Sequence, residues 1–174
     1  MNKTTKTGIV AGSFDPITSG HLWLIREALA LVDELIVVVG VNPSKKYYFT
    51  SEERRELVDT VLRTKLDAPD YARVRVVFLE NDLLINFAAE SGATHLVRGI
   101  RNAADFDFEY QMMLVNRKIN SAVHSVFVMT PPTLAEVSSS TVKGLVGLKN
   151  WEALVARYCH PAVVAAFREK LAGA

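Results

Sequence analysis

The sequence predicts an α/β fold in which one domain is built on a five-stranded parallel sheet with helices on both faces. Short runs rich in valine, isoleucine and leucine alternate with longer helical stretches through most of the chain. Such alternation implies right-handed crossovers and parallel strands. Residues 35–41 are apolar at nearly every position, as a strand buried on both faces must be. Polar clusters directly follow three of the expected strands, and open parallel sheets bind ligands outside the carboxyl ends of their strands.

The elements follow in order. Residues 8–11 read as the first strand. Residues 22–31 read as a helix, with Leu22, Ile25, Leu29 and Val32 at helical spacing. Residues 35–41 are the second strand. Thr50 or Ser51 is placed to cap a helix over 52–62, whose first turn is acidic. Residues 74–79 form the third strand. Asp82 is expected to cap a helix that reaches Glu90 and is ended by Gly92. Residues 95–98 give a fourth strand, about 104–119 a helix, and 125–129 a fifth strand. In the 104–119 helix, Phe106, Tyr110 and Met113 share a face expected to pack as core. A helix over 138–146 and two more, at about 151–171, complete a Rossmann-like single domain spanning 1–174. No repeat, low-complexity tract or linker divides it.

Composition narrows the class of function. A chain of 174 residues, 49% hydrophobic and 22% charged, is that of an ordinary globular domain. The formal net charge is +1, from 20 basic and 19 acidic residues. A general nucleic-acid binder carries a basic excess, so no nucleic-acid partner is expected and any phosphate recognition rests on a few placed residues. The one cysteine, Cys159, cannot form an internal disulfide, and no Cys/His cluster suggests a metal. A reducing, cytoplasmic location is expected. Residues 1–7 are polar and lack the apolar core of a signal peptide. No run approaches the roughly 20 apolar residues of a membrane span, so no membrane partner is expected.

Four clusters carry candidate chemistry. The first reads Gly12-Ser13-Phe14-Asp15-Pro16-Ile17-Thr18-Ser19-Gly20-His21. Gly12 ends the first strand and Asp15-Pro16 turns the chain. Thr18 or Ser19 can cap the next helix, whose first turn holds Gly20 and His21. A helix N-terminus presents free N–H groups to phosphate, and His21 adds a ring donor. The second cluster, Pro43-Ser44-Lys45-Lys46 followed by Phe49-Thr50, places two cations after the second strand. In the third, Arg98-Gly99-Ile100-Arg101 follows the fourth strand, and each guanidinium can fork onto phosphate oxygens. Just upstream, residues 82–87 with Leu84 read as the opening of a capped amphipathic helix. The fourth, Val137-Ser138-Ser139-Ser140-Thr141-Val142-Lys143, follows the fifth strand after a Pro131-Pro132 turn and can cap a helix with hydroxyls. Ser140 and Lys143 also fit the S-x-x-K pattern of serine acyl-enzymes, but no S-D-N or K-T-G element accompanies it.

The first cluster resembles the (T/H)xGH signature of the nucleotidyltransferase superfamily, here Thr18-Ser19-Gly20-His21. The fourth resembles that superfamily's second signature, of the (I/V)SSSxxR/K type. Together with the lysine and arginine clusters, the order and spacing over residues 8–171 are similar to the phosphopantetheine adenylyltransferase family. The resemblance implies adenylyl transfer from ATP to 4′-phosphopantetheine, giving dephospho-coenzyme A and pyrophosphate. His21, Lys45 and Arg98 would be catalytic. ATP would meet Ser13, Phe14, His21, Gly99, Ile100, Arg101 and Glu109, and the segment Leu134, Ala135, Glu136, Val137, Ser138, Ser139 and Ser140. The acceptor would meet Ser13, Lys45, Leu84 and Arg98. Mg²⁺ would ride on ATP with no dedicated carboxylate cage, and the protein would be a homohexamer, with the helix carrying Asn116 and Arg117 at subunit contacts. Two positions depart from the family pattern: Ala11 stands where many relatives have proline, and Leu134 where many have an aromatic residue. The readings beside it are transfer to another phosphorylated acceptor, such as nicotinamide mononucleotide, with an adenylyl or cytidylyl donor, and a non-catalytic nucleotide-binding homologue.

Overall fold

A computed structural model describes residues 5–173; the first four residues of the polar opening stretch lie outside the described residues. The strands are β1 (Thr7–Gly12), β2 (Glu34–Val41), β3 (Val74–Glu80), β4 (His95–Ile100) and β5 (His124–Met129). They form one parallel sheet in the order β3-β2-β1-β4-β5. The helices are α1 (Ser19–Leu31), α2 (Ser51–Lys65), α3 (Ala68–Ala72), α4 (Leu84–Glu90), α5 (Ala103–Ile119), α6 (Ser139–Leu145), α7 (Trp151–Val155) and α8 (Pro161–Ala172).

The period of two along the strands sorts the core into two layers. Val10, Leu35, Val37 and Val39 face α1, α2 and α8 through Ile25, Leu29, Val58, Leu62 and Phe167. Ile9, Ile36, Val38 and Leu96 face the other way, onto Ile85 and Ala88 of α4. All of residues 35–39 are buried, so the uninterrupted apolar run has its expected meaning. The chain order reverses beside β1: β2 and β3 lie on one side, β4 and β5 on the other. The carboxyl ends of β1 and β4 therefore bound the crevice where such sheets place ligands.

Several local expectations change. Helix α2 runs on to Lys65, with Thr50 as its cap: the Thr50 hydroxyl accepts from Glu53 N–H and the Glu53 carboxylate accepts from Thr50 N–H. The short α3, capped by Asp67, precedes β3. Asp82 does not cap α4; its carboxylate accepts from Leu83 N–H and the Asn86 amide, and the helix starts one residue later at a Leu83 cap without a side-chain bond. Gly92, at φ +71°, ends α4 as expected. The largest difference is α5. It has no buried residue, and Phe106 and Tyr110 are 43% and 44% exposed. It packs on β4 and reaches the edge strand β5 through Phe106, which leaves much of the helix uncovered. The Phe106 ring packs against the rings of Tyr110 at 5.9 Å and Phe127 at 5.8 Å.

Candidate active site

The carboxyl ends of β1 and β4, the N-termini of α1 and α6, and the first turns of α5 enclose a cavity of about 460 Å³. Ser13, His21, Arg98, Gly99, Arg101, Glu109, Leu134, Val137, Ser138, Ser139 and Ser140 all line it. Three of the four clusters thus meet at one place.

Helix α1 orients His21 through its own cap. His21 Nδ1 accepts a hydrogen bond from Thr18 N–H at 3.0 Å, and the Thr18 hydroxyl lies 3.0 Å from the same nitrogen. An Nδ1 that accepts from a backbone N–H carries no proton, so the neutral ring holds its proton on Nε2. Burial, and then the charge of Arg101, push the His21 pKa down from 6.5 to about 4. The ring is therefore a fixed neutral donor at physiological pH. The Phe14 ring, fully buried, backs it at 5.0 Å.

The two arginines are held by the carboxylates of α5. Arg98 Nη1 donates to Ala11 O at 3.1 Å and its Nε lies 3.2 Å from Glu109. Arg101 forks onto Asp105 at 2.7 and 3.1 Å, and this pairing holds the Asp105 carboxyl below the usual range. Glu109 stands on the cavity wall as the partner of Arg98. On the opposite side Ser138 caps α6 by accepting from Thr141 N–H, and the Ser139 hydroxyl donates to Pro16 O at 2.8 Å. Two of the three serine hydroxyls are thus engaged within the protein, and what this segment presents to a ligand is chiefly its backbone N–H groups.

Other candidates lie apart from this cavity. Phe14 and Ile100 are buried over the whole residue, and neither lines the cavity. A Cβ at Gly12 would rest against the Phe14 ring at 3.4 Å. Ala135 and Glu136 are not on the cavity wall. Lys45 is exposed in the loop after β2, its Nζ 5.8 Å from the Tyr47 ring. Residues 42–43 of that loop and 81–83, just before Leu84, line a second, shallower hollow of about 360 Å³.

The structure also brings in residues that motif reading passed over. Trp23 and Phe108 supply aromatic surface to the cavity beside Leu134. Asp15, read as a turn residue, is 1% exposed and joins three segments. Its carboxylate accepts from Tyr48 N–H and Phe49 N–H and from Lys143 Nζ at 2.7 Å. Burial alone would raise its pKa; the Lys143 ammonium and the two backbone N–H groups outweigh that and hold it low. A buried carboxylate needs such partners, and the only sequence signal was an aspartate in an otherwise apolar neighbourhood.

Residues 9–145 match the cytidylyltransferase-like family. The phosphopantetheine adenylyltransferase of Chromobacterium violaceum is 44% identical over 153 residues, 88% of this chain and 90% of that protein. Those of Neisseria meningitidis serogroup C and Thermotoga neapolitana are 42% and 38% identical over 163 residues, 94% of this chain and 92% and 95% of theirs. Among solved structures, nicotinic acid mononucleotide adenylyltransferase of Plasmodium falciparum, complexed with NaAD, superposes with a TM-score of 0.72 at 16% identity, covering 97% of this chain and 96% of that one. At that identity the likeness is one of fold.

Proposed function

The chain belongs to the cytidylyltransferase-like family and, within it, to the phosphopantetheine adenylyltransferases, and on that premise we propose that it joins ATP to 4′-phosphopantetheine, giving dephospho-coenzyme A and pyrophosphate. The observation that carries the reading is His21, locked by Thr18 as a neutral Nε2–H donor in a cavity that also holds Arg98 and Arg101.

The chemistry asks for little else. An oxygen of the acceptor's phosphate attacks the α-phosphorus of ATP. The bond from that phosphorus to the bridging oxygen breaks, and its electron pair leaves with pyrophosphate. A phosphate oxygen is already a competent nucleophile at neutral pH, so no strong base is required. Catalysis rests on alignment and on donors aimed at the charge that develops. In this division of labour His21 serves the α-phosphate. Arg101, Gly99 and the first-turn N–H groups of α1 and α6 receive the rest of ATP. Ser13, Lys45 and Arg98 receive the acceptor's phosphate, whose arm runs toward the hollow before Leu84. For Arg98 and Arg101 to turn toward phosphate, their ion pairs with Glu109 and Asp105 must loosen or be shared.

Mg²⁺ rides on ATP in this reading. Both carboxylates on the cavity wall are engaged by arginines, and among the described residues no three His, Cys, Asp or Glu side chains gather as a metal site. The ion would neutralise the β- and γ-phosphates as pyrophosphate departs. The single domain assembles as a homohexamer through α5, whose Phe108, Met112, Val115 and Ile119 form an exposed stripe at helical spacing. The buried, unpaired Cys159 suits a reducing cytoplasm, and no helix among the described residues is long and apolar enough to cross a membrane.

The test follows pyrophosphate release from purified protein with ATP, Mg²⁺ and 4′-phosphopantetheine, beside a parallel reaction with nicotinamide mononucleotide. Release with the first acceptor alone is the expected result. Release only with the second would overturn the acceptor, and silence in both from protein that still binds ATP would favour a non-catalytic nucleotide binder.

A further inference from the structure

Helix α2 sends Arg54 into the interior, where among the described residues no carboxylate comes within ion-pair distance, although the Glu52 carboxylate lies near enough to feel its charge. The residue is 1% exposed and forms no ion pair among the described residues. Its neighbour Glu53 pairs with Lys170 instead. A buried guanidinium without a counter-ion is costly unless hydrogen bonds compensate it. Here they go to two backbone carbonyls: Nη1 donates to Ser13 O at 2.6 Å and to Gly40 O at 2.9 Å. The Tyr47 ring lies 4.0 Å from the guanidinium carbon, and the buried Nε–H has no partner. A role in stability alone would be met as well by an apolar side chain.

The placement of these partners suggests what the charge does. Ser13 follows β1, Gly40 lies near the end of β2, and Tyr47 closes the loop after β2. The Tyr47 hydroxyl accepts from Asn42 N–H at 2.9 Å, so the ring on Arg54 also fixes the loop that carries Lys45. The Ser13–Phe14 peptide is trans, Asp15–Pro16 being the cis bond of the described chain. With Ser13 C=O on Arg54, the Phe14 N–H points to the opposite side of the peptide plane. Phe14 itself sits at φ +46°, a left-handed conformation that a non-glycine residue adopts only when its surroundings hold it.

We propose that Arg54 is a positioning residue, which locks the Ser13–Phe14 peptide and the 42–47 loop in one arrangement so that Ser13, on the cavity wall, and Lys45 meet substrate phosphate together. This rests on the adenylyl-transfer reading above. Its buried charge also adds positive potential behind the strand ends where phosphate is received.

The experiment compares wild type with Arg54→Lys, which keeps the charge but loses the planar fork and the stacked face. Turnover of ATP with 4′-phosphopantetheine and hydrogen exchange along the chain are both measured. The expected result is a fall in kcat/KM of about 30-fold or more, as small misplacements of reacting groups produce. Faster exchange should be confined to residues 13–15 and 42–47, with the sheet still protected. Turnover within about threefold of wild type would overturn the proposal, and so would unchanged exchange in those two segments. Should Arg54→Lys fail to fold, Tyr47→Leu removes the stacked ring while keeping Arg54, and the same two outcomes apply. Wild type that is silent with 4′-phosphopantetheine would condemn the acceptor assignment, and the exchange comparison would still decide the role of Arg54.

Discussion

Lys143 Nζ stands 2.7 Å from the buried Asp15 carboxylate, across 128 residues of sequence, and so ties α6 to the loop after β1. Asp15 is 2% exposed at its side chain and Lys143 27%, so the pair is screened from water on one side only. Removing the lysine leaves a buried carboxylate supported by two backbone N–H groups alone. Lys143→Met is therefore expected to cost about 2 to 4 kcal/mol, seen as a fall of roughly 5 to 15 °C in Tm for a domain of this size. Asp15→Asn in the same background should recover part of the loss. Additive effects in that double-mutant cycle would show that the contact carries no coupling.

His21→Ala should lower kcat by about 10²- to 10³-fold, the loss typical of one well-placed donor at developing charge. KM for ATP should change little, because the contact strengthens only as the reaction proceeds. The substitution also empties the acceptor of Thr18 N–H, so Tm must be measured beside the rates. Turnover within a few-fold of wild type would remove His21 from the chemistry.

The depressed pKa of His21 has a consequence for stability. In the unfolded chain the imidazole takes a proton near pH 6.5; in the folded protein it does so only near 4. Between those values the unfolded state binds more protons, so stability rises with pH there and falls as pH drops from 6.5 toward 4. Above 6.5 the group contributes no slope. The full effect, reached only below pH 4, is about 3 to 3.5 kcal/mol, and the part that falls between pH 7.5 and pH 5 is about 2 kcal/mol. Wild type and His21→Gln, compared by chemical denaturation at pH 7.5 and pH 5, should differ in their pH dependence by this amount, with the wild type the more acid-sensitive. Equal slopes would mean an ordinary, solvated histidine.

The sheet was legible because strands buried on both faces leave short, valine- and isoleucine-rich apolar runs bounded by turns, as residues 35–39 do. The first and last signatures were legible because capping residues and glycines mark strand-turn-helix junctions locally. Asp15, Arg54 and Lys143 were not, since each hydrogen-bonds to partners at least 14 positions away along the chain and only the fold brings those partners close. Asp82 misled because an aspartate before a helix can satisfy its neighbour's N–H as easily as the helix end. Helix α5 misled for another reason. Periodicity reports that a face is apolar, but not whether its cover comes from the same chain.

Trp23 offers a direct optical test of the cavity. It lines the wall, while Trp151, the other tryptophan, packs on Phe167 at 6.2 Å in the core. Aromatic surface next to Leu134 suits a base, since stacking needs only a π-face. ATP should change the intrinsic fluorescence saturably in wild type and in Trp151→Phe. In Trp23→Phe the signal should vanish. A change that survives Trp23→Phe would place the base elsewhere.

Helix α5 carries the expectation of assembly. Phe108, Met112, Val115 and Ile119 are 64%, 38%, 49% and 48% exposed, and Met129 on the neighbouring edge strand is 68% exposed. A monomer rarely leaves so continuous an apolar stripe in water. The stripe belongs to the helix whose Asp105 and Glu109 hold Arg101 and Arg98, so subunit contacts and arginine placement share one rigid element. Light scattering should report a particle several times the 19.3 kDa chain, six times in the hexamer proposed. Val115→Glu should give smaller species with unchanged far-UV circular dichroism, because a charge on the stripe is tolerated in water and not in an interface. A wild-type monomer would remove the assembly, and an intact hexamer in Val115→Glu would move the interface to another face.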